Sequence, residues 1–174
     1  MQREKPCAVI GKRPALQQAQ DDINNKLKNK NMKIFIGSDH AGFSLKEKIR
    51  KYLADKKVEV IDCGCYSEER ADYPDYAHKV AENVLADKNT LGILLCGSGN
   101  GINITANKHA GIRSALCWMP EIASMARQHN NANIMALPAR YIAEDVAFAC
   151  VDAYLGASFE GGRHQDRINK IESC

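Results

Sequence analysis

A cysteine followed by glycines on alternate residues is the feature of this sequence best suited to chemistry. Residues 91–101 form an uncharged apolar run that leads into Cys96 and then into a glycine-rich segment, residues 97–101. Glycine lets the backbone approach a ligand without an intervening Cβ, and the free N–H groups at the start of a following helix attract anions. The helix dipole and these amides favour a thiolate. The segment therefore offers a base beside an anion-binding loop.

Three better-known loops do not fit this segment. A Walker A loop requires Lys and Ser or Thr after its last glycine, but Ile102 and Asn103 stand there. A cysteine-phosphatase loop requires an arginine at position 102, and a dinucleotide-binding loop requires a different glycine spacing. A glycine-rich turn with an inert cysteine stays open as the alternative, as long as this segment is considered alone.

Other candidate residues each have a structural alternative. Asp39 and His40 could be a helix cap and a turn residue, and His129 could simply favour the C-terminal end of a helix. Arg163 and Arg167 are four residues apart, so they present two guanidinium groups on one helical face. That face is either solvated or, together with a histidine, a clamp for a phosphate group.

Hydrophobic periodicity predicts five strands alternating with helices. The predicted strands cover residues 32–37, 58–61, 91–96, 111–118 and 133–137. The predicted helices begin near residues 43, 73, 102, 120, 143 and 163, and the last of them runs to residue 171. This alternation predicts a single α/β domain, a three-layer sandwich whose Rossmann-like, five-stranded parallel sheet carries helices on both faces.

The predicted fold brings separated residues to one edge of the sheet. Asp39 and His40 follow the first strand, residues 96–101 follow the third, and Arg140 follows the fifth. Ligands of such folds bind at the carboxyl ends of the strands. We therefore expect these three segments to form one site.

Composition sets the class of protein. The chain of 174 residues has 45% hydrophobic and 26% charged residues, which is typical of one soluble domain. No stretch has the length of a membrane span, and the N-terminus lacks the pattern of a secretory signal. The seven cysteines are scattered and indicate neither a disulfide framework nor a metal site. We expect a cytoplasmic protein that does not associate with membranes.

The basic charge is concentrated before the predicted domain. Residues 1–31 carry seven Lys and Arg against three acidic residues, whereas the remaining chain has 17 basic and 18 acidic residues. The body of the protein therefore has no basic surface that would indicate nucleic-acid binding. We interpret residues 1–31 as a polar, basic extension and residues 32–174 as the functional domain.

Over residues 32–171 the chain resembles the type B ribose-5-phosphate isomerases, in the family that includes the galactose-6-phosphate isomerase subunits. The resemblance rests on several ordered motifs: Gly-Ser-Asp-His-Ala-Gly at 37–42, Asp-Tyr-Pro at 72–74, Cys-Gly-Ser-Gly-Asn-Gly at 96–101, Ala-Asn-Lys at 106–108, Gly-Ile-Arg at 111–113, Arg-Gln-His-Asn at 127–130 and Glu-Gly-Gly-Arg-His at 160–164.

The resemblance implies interconversion of ribose 5-phosphate and ribulose 5-phosphate without a metal or another cofactor. By that resemblance Cys96 is the base, Ser98 assists it, and His129 is the acid that opens the sugar ring. It assigns substrate binding to Asp39, His40, Tyr73, Gly97, Gly99, Asn100, Gly101, Asn130, Arg140, Arg163 and Arg167.

The resemblance also implies an assembly. By resemblance to the family we expect a homodimer or a tetramer with sites between subunits, so the C-terminal helix could serve a neighbouring pocket. Two other functions stay open from the sequence: the same chemistry on a six-carbon substrate such as allose or galactose 6-phosphate, and a non-catalytic, flavodoxin-like binder of a phosphate or nucleotide.

Overall fold

The structure, a computed structural model, describes residues 32–171 as alternating strands and helices. The strands are β1 (Lys33–Ser38), β2 (Glu59–Asp62), β3 (Thr90–Cys96), β4 (Ser114–Leu116) and β5 (Ile134–Pro138). The helices are α1 (Phe43–Asp55), α2 (Tyr73–Ala86), α3 (Asn100–Ala106), α4 (Pro120–Asn130), α5 (Glu144–Gly156) and α6 (Arg163–Ile168).

The strands form one five-stranded sheet in the order β2-β1-β3-β5-β4. All neighbouring strands are parallel, and the register pairs Ser38 with Leu95 and Cys96 with Pro138. Helices cover both faces. The predicted Rossmann-like three-layer sandwich with a five-stranded parallel sheet is therefore confirmed.

Alternating side chains of the strands divide the core between the two faces. In β3, Leu91, Ile93 and Leu95 pack with residues of α1, α4 and α5. Leu94 and Cys96 point to the opposite face, where α2 and α3 pack. Every residue of β3 is buried, as its continuous apolar sequence predicts for a central parallel strand.

The fourth strand is shorter than predicted. Only Ser114–Leu116 is extended, whereas residues 111–118 were expected. Gly111 has a φ of 83°, which a strand cannot accommodate, and the N–H of Ile112 turns back to the carbonyl of His109. The apolar residues before β4 therefore belong to a turn that packs on the core.

Two helix boundaries also differ from the prediction. Gly99 adopts a left-handed φ of 74° and precedes α3, so the helix begins at Asn100 and not at residue 102. Helix α6 ends at Ile168, because the chain then turns with a hydrogen bond from Lys170 N–H to the carbonyl of Arg167. The predicted extension of that helix to residue 171 is wrong.

The predicted basic extension, residues 1–31, lies outside the described residues. Across residues 32–171, none of the helices combines the length and the apolar character that spanning a bilayer would require.

The strand order places a switch point between β1 and β3. After β1 the chain adds β2 on one side of it, and then crosses to place β3 on the other side. Loops that leave the carboxyl ends of two such strands diverge and leave a crevice, which is where ligands bind in open parallel sheets. The loops after β1 and β3 contain Asp39, His40 and residues 97–99.

Candidate active site

Cys96 and Asp39 lie side by side at the switch point. The N–H of Asp39 donates to the carbonyl of Leu95, so the end of β1 is joined directly to the end of β3. Both residues are buried, with Cys96 4% and Asp39 7% exposed. The backbones of Cys96 and Asp39 are therefore neighbours at the carboxyl edge of the sheet.

The glycine-rich loop turns sharply above Cys96. The left-handed conformation of Gly99 is one that residues with a Cβ rarely adopt. The hydroxyl of Ser98 accepts a hydrogen bond from the N–H of Asn100 at 3.3 Å, which supports the start of α3. The loop becomes more exposed beyond the buried Cys96, so Ser98 and Asn100 face solvent.

Two larger side chains border this loop on either side. The N–H of Arg140 donates to the carbonyl of Gly97 at 3.0 Å, and the Arg140 side chain lies against Gly97, 3.5 Å from where a Cβ would stand. The ring of Tyr73 lies so close to Gly101 that a Cβ there would come within 2.6 Å of its Cζ atom. Glycine is thus needed where the tyrosine meets the loop.

Asp39 and His40 organise the loops around the crevice. A carboxylate oxygen of Asp39 accepts the N–H of Gly42 at 2.9 Å, which closes the turn ahead of α1. The Nδ1 atom of His40 lies 3.0 Å from the carbonyl oxygen and 3.2 Å from the nitrogen of Ala71. His40 therefore joins the first loop to the long loop that precedes Tyr73.

His129 and Asn130 lie at the opposite edge of the sheet. Helix α4 starts beyond the carboxyl end of β4 and runs back, so its last residues reach the amino ends of the strands. The carbonyl of Asn130 accepts a hydrogen bond at 3.0 Å from the guanidinium of Arg113, the residue immediately before β4. A strand rises about 3.3 Å per residue, so the length of β5 from Ile134 to Pro138 alone separates the amino and carboxyl edges of the sheet by about 13 Å.

The segment before α6 joins this second group through Glu160. Its N–H donates to the carbonyl of Gln128, next to His129. The rings of His129 and His164 are stacked, with centroids 4.2 Å apart and planes 9° apart. A carboxylate oxygen of Glu160 lies 3.8 Å from Nε2 of His129 and 3.6 Å from Nε2 of His164.

The environment of His164 disfavours its charged form. Burial lowers the pKa of its imidazole, and the neighbouring His129 and Arg163 lower that pKa further, against an opposing effect of Glu160. Its side chain is only 7% exposed, compared with 38% for that of His129. His129 is therefore the more accessible imidazole of the stacked pair.

The candidate residues thus fall into two groups in one chain. The carboxyl-edge group contains Asp39, His40, Tyr73, Cys96, Gly97, Ser98, Gly99, Asn100, Gly101 and Arg140. The amino-edge group contains His129, Asn130, Arg163 and Arg167.

The amino-edge group includes two further residues, Glu160 and His164, for which no role was predicted. Their four-residue spacing beside the arginine pair was the available signal. The separation of the two groups could also be inferred from the order of strands and helices, because a helix that connects parallel strands must run back toward their amino ends. His129, at the end of such a helix, could not share an edge with Cys96.

Comparison with known proteins adds to this geometry. A sequence profile described as ribose/galactose isomerase matches residues 34–171. Ribose-5-phosphate isomerase B of Escherichia coli is 50% identical to this chain over 139 residues, which are 80% of this chain and 93% of the relative.

Solved structures agree with the sequence comparison. A ribose 5-phosphate isomerase from Thermotoga maritima is 54% identical with a TM-score of 0.80, and the match covers 82% of this chain and 98% of the other. The enzyme from Mycoplasma genitalium, solved with bound ribulose-5-phosphate, is 44% identical with a TM-score of 0.78 and coverages of 81% and 94%. Since both the profile and the relatives extend across nearly all the described residues, this chain belongs to the ribose/galactose isomerase family.

Proposed function

We propose that the protein is an aldose-ketose isomerase that interconverts D-ribose 5-phosphate and D-ribulose 5-phosphate. The observation that carries this proposal is the position of Cys96 beside Asp39, under a glycine loop at the switch point of the sheet. The Escherichia coli relative bears the name of this activity, and the Mycoplasma genitalium structure contains the ketose product.

In this proposal Cys96 moves a proton between two adjacent carbons. The thiolate removes the C2 proton of the open-chain aldose, and the electron pair forms the C1–C2 double bond of an enediolate. A proton passes from the C2 hydroxyl to the oxygen on C1, and the Cys96 thiol returns its proton to C1. The C2 oxygen then becomes the ketone, so no electron or atom is gained or lost.

The glycine loop stabilises the charge that develops during this transfer. Backbone N–H groups of residues 97–101 face the enediolate oxygen, and the Ser98 hydroxyl assists the proton transfer between oxygens. Preorganised donors of this kind contribute about 3 to 4 kcal/mol each when measured by removal. Positioned general-base catalysis adds a factor of roughly 10² to 10⁴. Asp39 binds a sugar hydroxyl, and Tyr73 lines the pocket.

We infer that the amino-edge group of one protomer completes the pocket of another. Within one chain the two groups lie at opposite edges of the sheet, so His129 cannot reach a sugar bound at Cys96. In a symmetric dimer the same pair of surfaces meets twice and forms two equivalent sites. A homodimer is therefore the smallest assembly that brings all the candidate residues together, and a tetramer would repeat it.

The partner's residues then have distinct roles. His129 protonates the ring oxygen of the cyclic aldose and so opens the ring, and Asn130 binds a sugar hydroxyl. Arg163 and Arg167 hold the phosphate together with two residues of the first group, His40 and Arg140. Guanidinium groups suit this task because they offer paired donors to phosphate oxygens.

Replacement of the base tests the activity. Cys96→Ala should abolish formation of ribulose 5-phosphate while ribose 5-phosphate still binds, as measured by calorimetry. Cys63→Ala, at another buried cysteine near the same edge, is the matched control and should retain turnover. Substantial turnover in Cys96→Ala would remove the cysteine from the role of base. If the wild-type protein turned over allose 6-phosphate or galactose 6-phosphate but not ribose 5-phosphate, the substrate would be a hexose phosphate. If it bound these sugars without turning over any of them, it would be a non-catalytic binder.

Mixed dimers test the shared site. Cys96→Ala and His129→Ala protomers are each inactive in this proposal, but a dimer of one with the other contains one intact site. Random pairing of equal amounts makes half of the dimers mixed, so the mixture should recover about a quarter of wild-type activity. If both residues acted within one chain, unfolding and refolding the mixture would restore nothing.

A further inference from the structure

Three potential metal ligands converge in the amino-edge group. His129, Glu160 and His164 each offer one donor atom, and these atoms lie within 4.8 Å of one another. The carboxylate is already 3.6 and 3.8 Å from the two imidazole nitrogens. The hydrogen bond from the Glu160 N–H to Gln128 holds the segment before α6 against the end of α4.

Two imidazoles and one carboxylate form a donor set that zinc uses in open, three-ligand sites. Tetrahedral zinc with bonds of 2.0 to 2.1 Å requires donor atoms about 3.3 Å apart. The two carboxylate distances are within about half an ångström of this value. Imidazole and carboxylate also suit other divalent transition metals, whereas Mg²⁺ and Ca²⁺ prefer oxygen ligands.

The stacked rings must separate before both can bind one ion. Each nitrogen lone pair lies in the plane of its own ring, and the two planes are only 9° apart, so they do not intersect at a nearby point. His129 is the ring able to turn, because its side chain is 38% exposed at the end of α4, whereas that of His164 is 7% exposed.

We propose that His129, Glu160 and His164 form an inhibitory site for a divalent transition-metal ion of the zinc type. The metal occupies the lone pair of one ring nitrogen of His129, so that nitrogen can neither hold a proton nor deliver one to the sugar. The inhibition rests on the proposed function, in which His129 opens the sugar ring. Binding of the ion is independent of that function. In that function the ion and the cyclic sugar phosphate compete for His129.

Cobalt binding tests the site without measuring activity. Co²⁺ added to the full-length protein should give visible absorption bands of low-symmetry nitrogen and oxygen coordination, with no thiolate charge-transfer band. Glu160→Gln should weaken binding at least tenfold, since losing even an outer partner of a ligand costs 10- to 100-fold. Glu121→Gln, the same change at the opposite end of α4, is the control and should bind like the wild type.

A second variant separates metal binding from stacking. His164→Phe keeps an aromatic ring against His129 but removes the nitrogen, so it should also lose at least tenfold in affinity. Unchanged Co²⁺ affinity in both Glu160→Gln and His164→Phe would overturn the proposed site. A thiolate charge-transfer band that disappears in Cys96→Ala would overturn it too, because the ion would then sit on the cysteine.

Inhibition by Zn²⁺ tests the consequence. Zn²⁺ should raise the apparent KM for ribose 5-phosphate, and Glu160→Gln should need at least tenfold more Zn²⁺ for the same effect while Glu121→Gln responds like the wild type. Equal inhibition of Glu160→Gln and the wild type would refute the inhibitory role. If ribose 5-phosphate is not turned over at all, the proposed function fails, and the cobalt spectrum still decides the metal site.

Discussion

One methyl group added at Gly99 should disrupt the packing of the glycine loop against β5. Its φ of 74° lies in the left-handed region, and a Cβ there would stand 2.4 Å from Cδ1 of Leu116. The same Cβ would stand 3.1 Å from backbone atoms of Leu137 and Pro138 in β5. The leucine side chain can move, but the strand backbone cannot move without disturbing the central sheet.

Two costs add in Gly99→Ala. A left-handed backbone costs a residue with a Cβ about 1 to 2 kcal/mol. Forcing a methyl group into packed surroundings costs about 1 to 3 kcal/mol. The free energy of unfolding should therefore fall by about 2 to 5 kcal/mol, which corresponds to a decrease of about 1 to 2 M in the urea midpoint for a chain of this size.

Gly161→Ala is the matched control for this experiment. Gly161 also has a positive φ, 68°, but a Cβ there meets no atom within 4 Å. It should lose only the backbone contribution, about 1 to 2 kcal/mol. Urea unfolding must be compared at one fixed protomer concentration, because association contributes to stability.

The activity of Gly99→Ala should also fall, by roughly 100-fold in kcat/KM, since a displacement near 1 Å in a catalytic loop has that effect. If Gly99→Ala and Gly161→Ala lost the same free energy, the steric conflict with β5 would not exist, and the close packing of this loop would be refuted.

Three further perturbations test the core. Lys46→Met should lower the free energy of unfolding in urea by about 3 kcal/mol, because it removes a fully buried ammonium that lies 2.6 Å from the Asp62 carboxylate. Arg50, 3.0 Å from the same carboxylate, only partly compensates for the lost ammonium. An unchanged urea midpoint would contradict this prediction. Tyr154→Phe should lose about 1 kcal/mol, since it removes a buried hydrogen bond to a backbone carbonyl; a stabilised variant would argue against that bond. Burial raises the pKa of Cys117 to about 12, so only about one molecule in 10⁴ is a thiolate at pH 8, and peptide mapping should find this residue unmodified by iodoacetamide until the protein is unfolded.

Much of the fold could be predicted because its signals are local. The uninterrupted apolar sequence of β3 predicts a central buried strand, and the structure buries every residue of it. The strand limit near Gly111 could not be predicted in the same way, because its apolar neighbour Ile112 is buried in a turn and not in a strand. Burial alone does not distinguish these two environments in a sequence.

The candidate site was predictable in part for a related reason. Asp39, Cys96 and Arg140 each follow a parallel strand, and parallel strands end at one edge, so strand positions were sufficient to place these residues together. His129 and Arg163 lie on helices, whose ends depend on the direction and length of each helix. The sequence could indicate His129 and Arg163 as candidate site residues but could not give their positions relative to Cys96.

The sequence by itself determined the parallel sheet and the glycine turn after Cys96, because hydrophobic periodicity and the steric freedom of glycine act over a few residues. Its ordered motifs carried the resemblance to the family. Only the tertiary structure decided that His129 stacks on His164 beside Glu160, at the edge opposite Cys96. That arrangement depends on how α6 docks against α4, which is a matter of packing between distant segments and is not specified by the spacing of Glu160 and His164 alone.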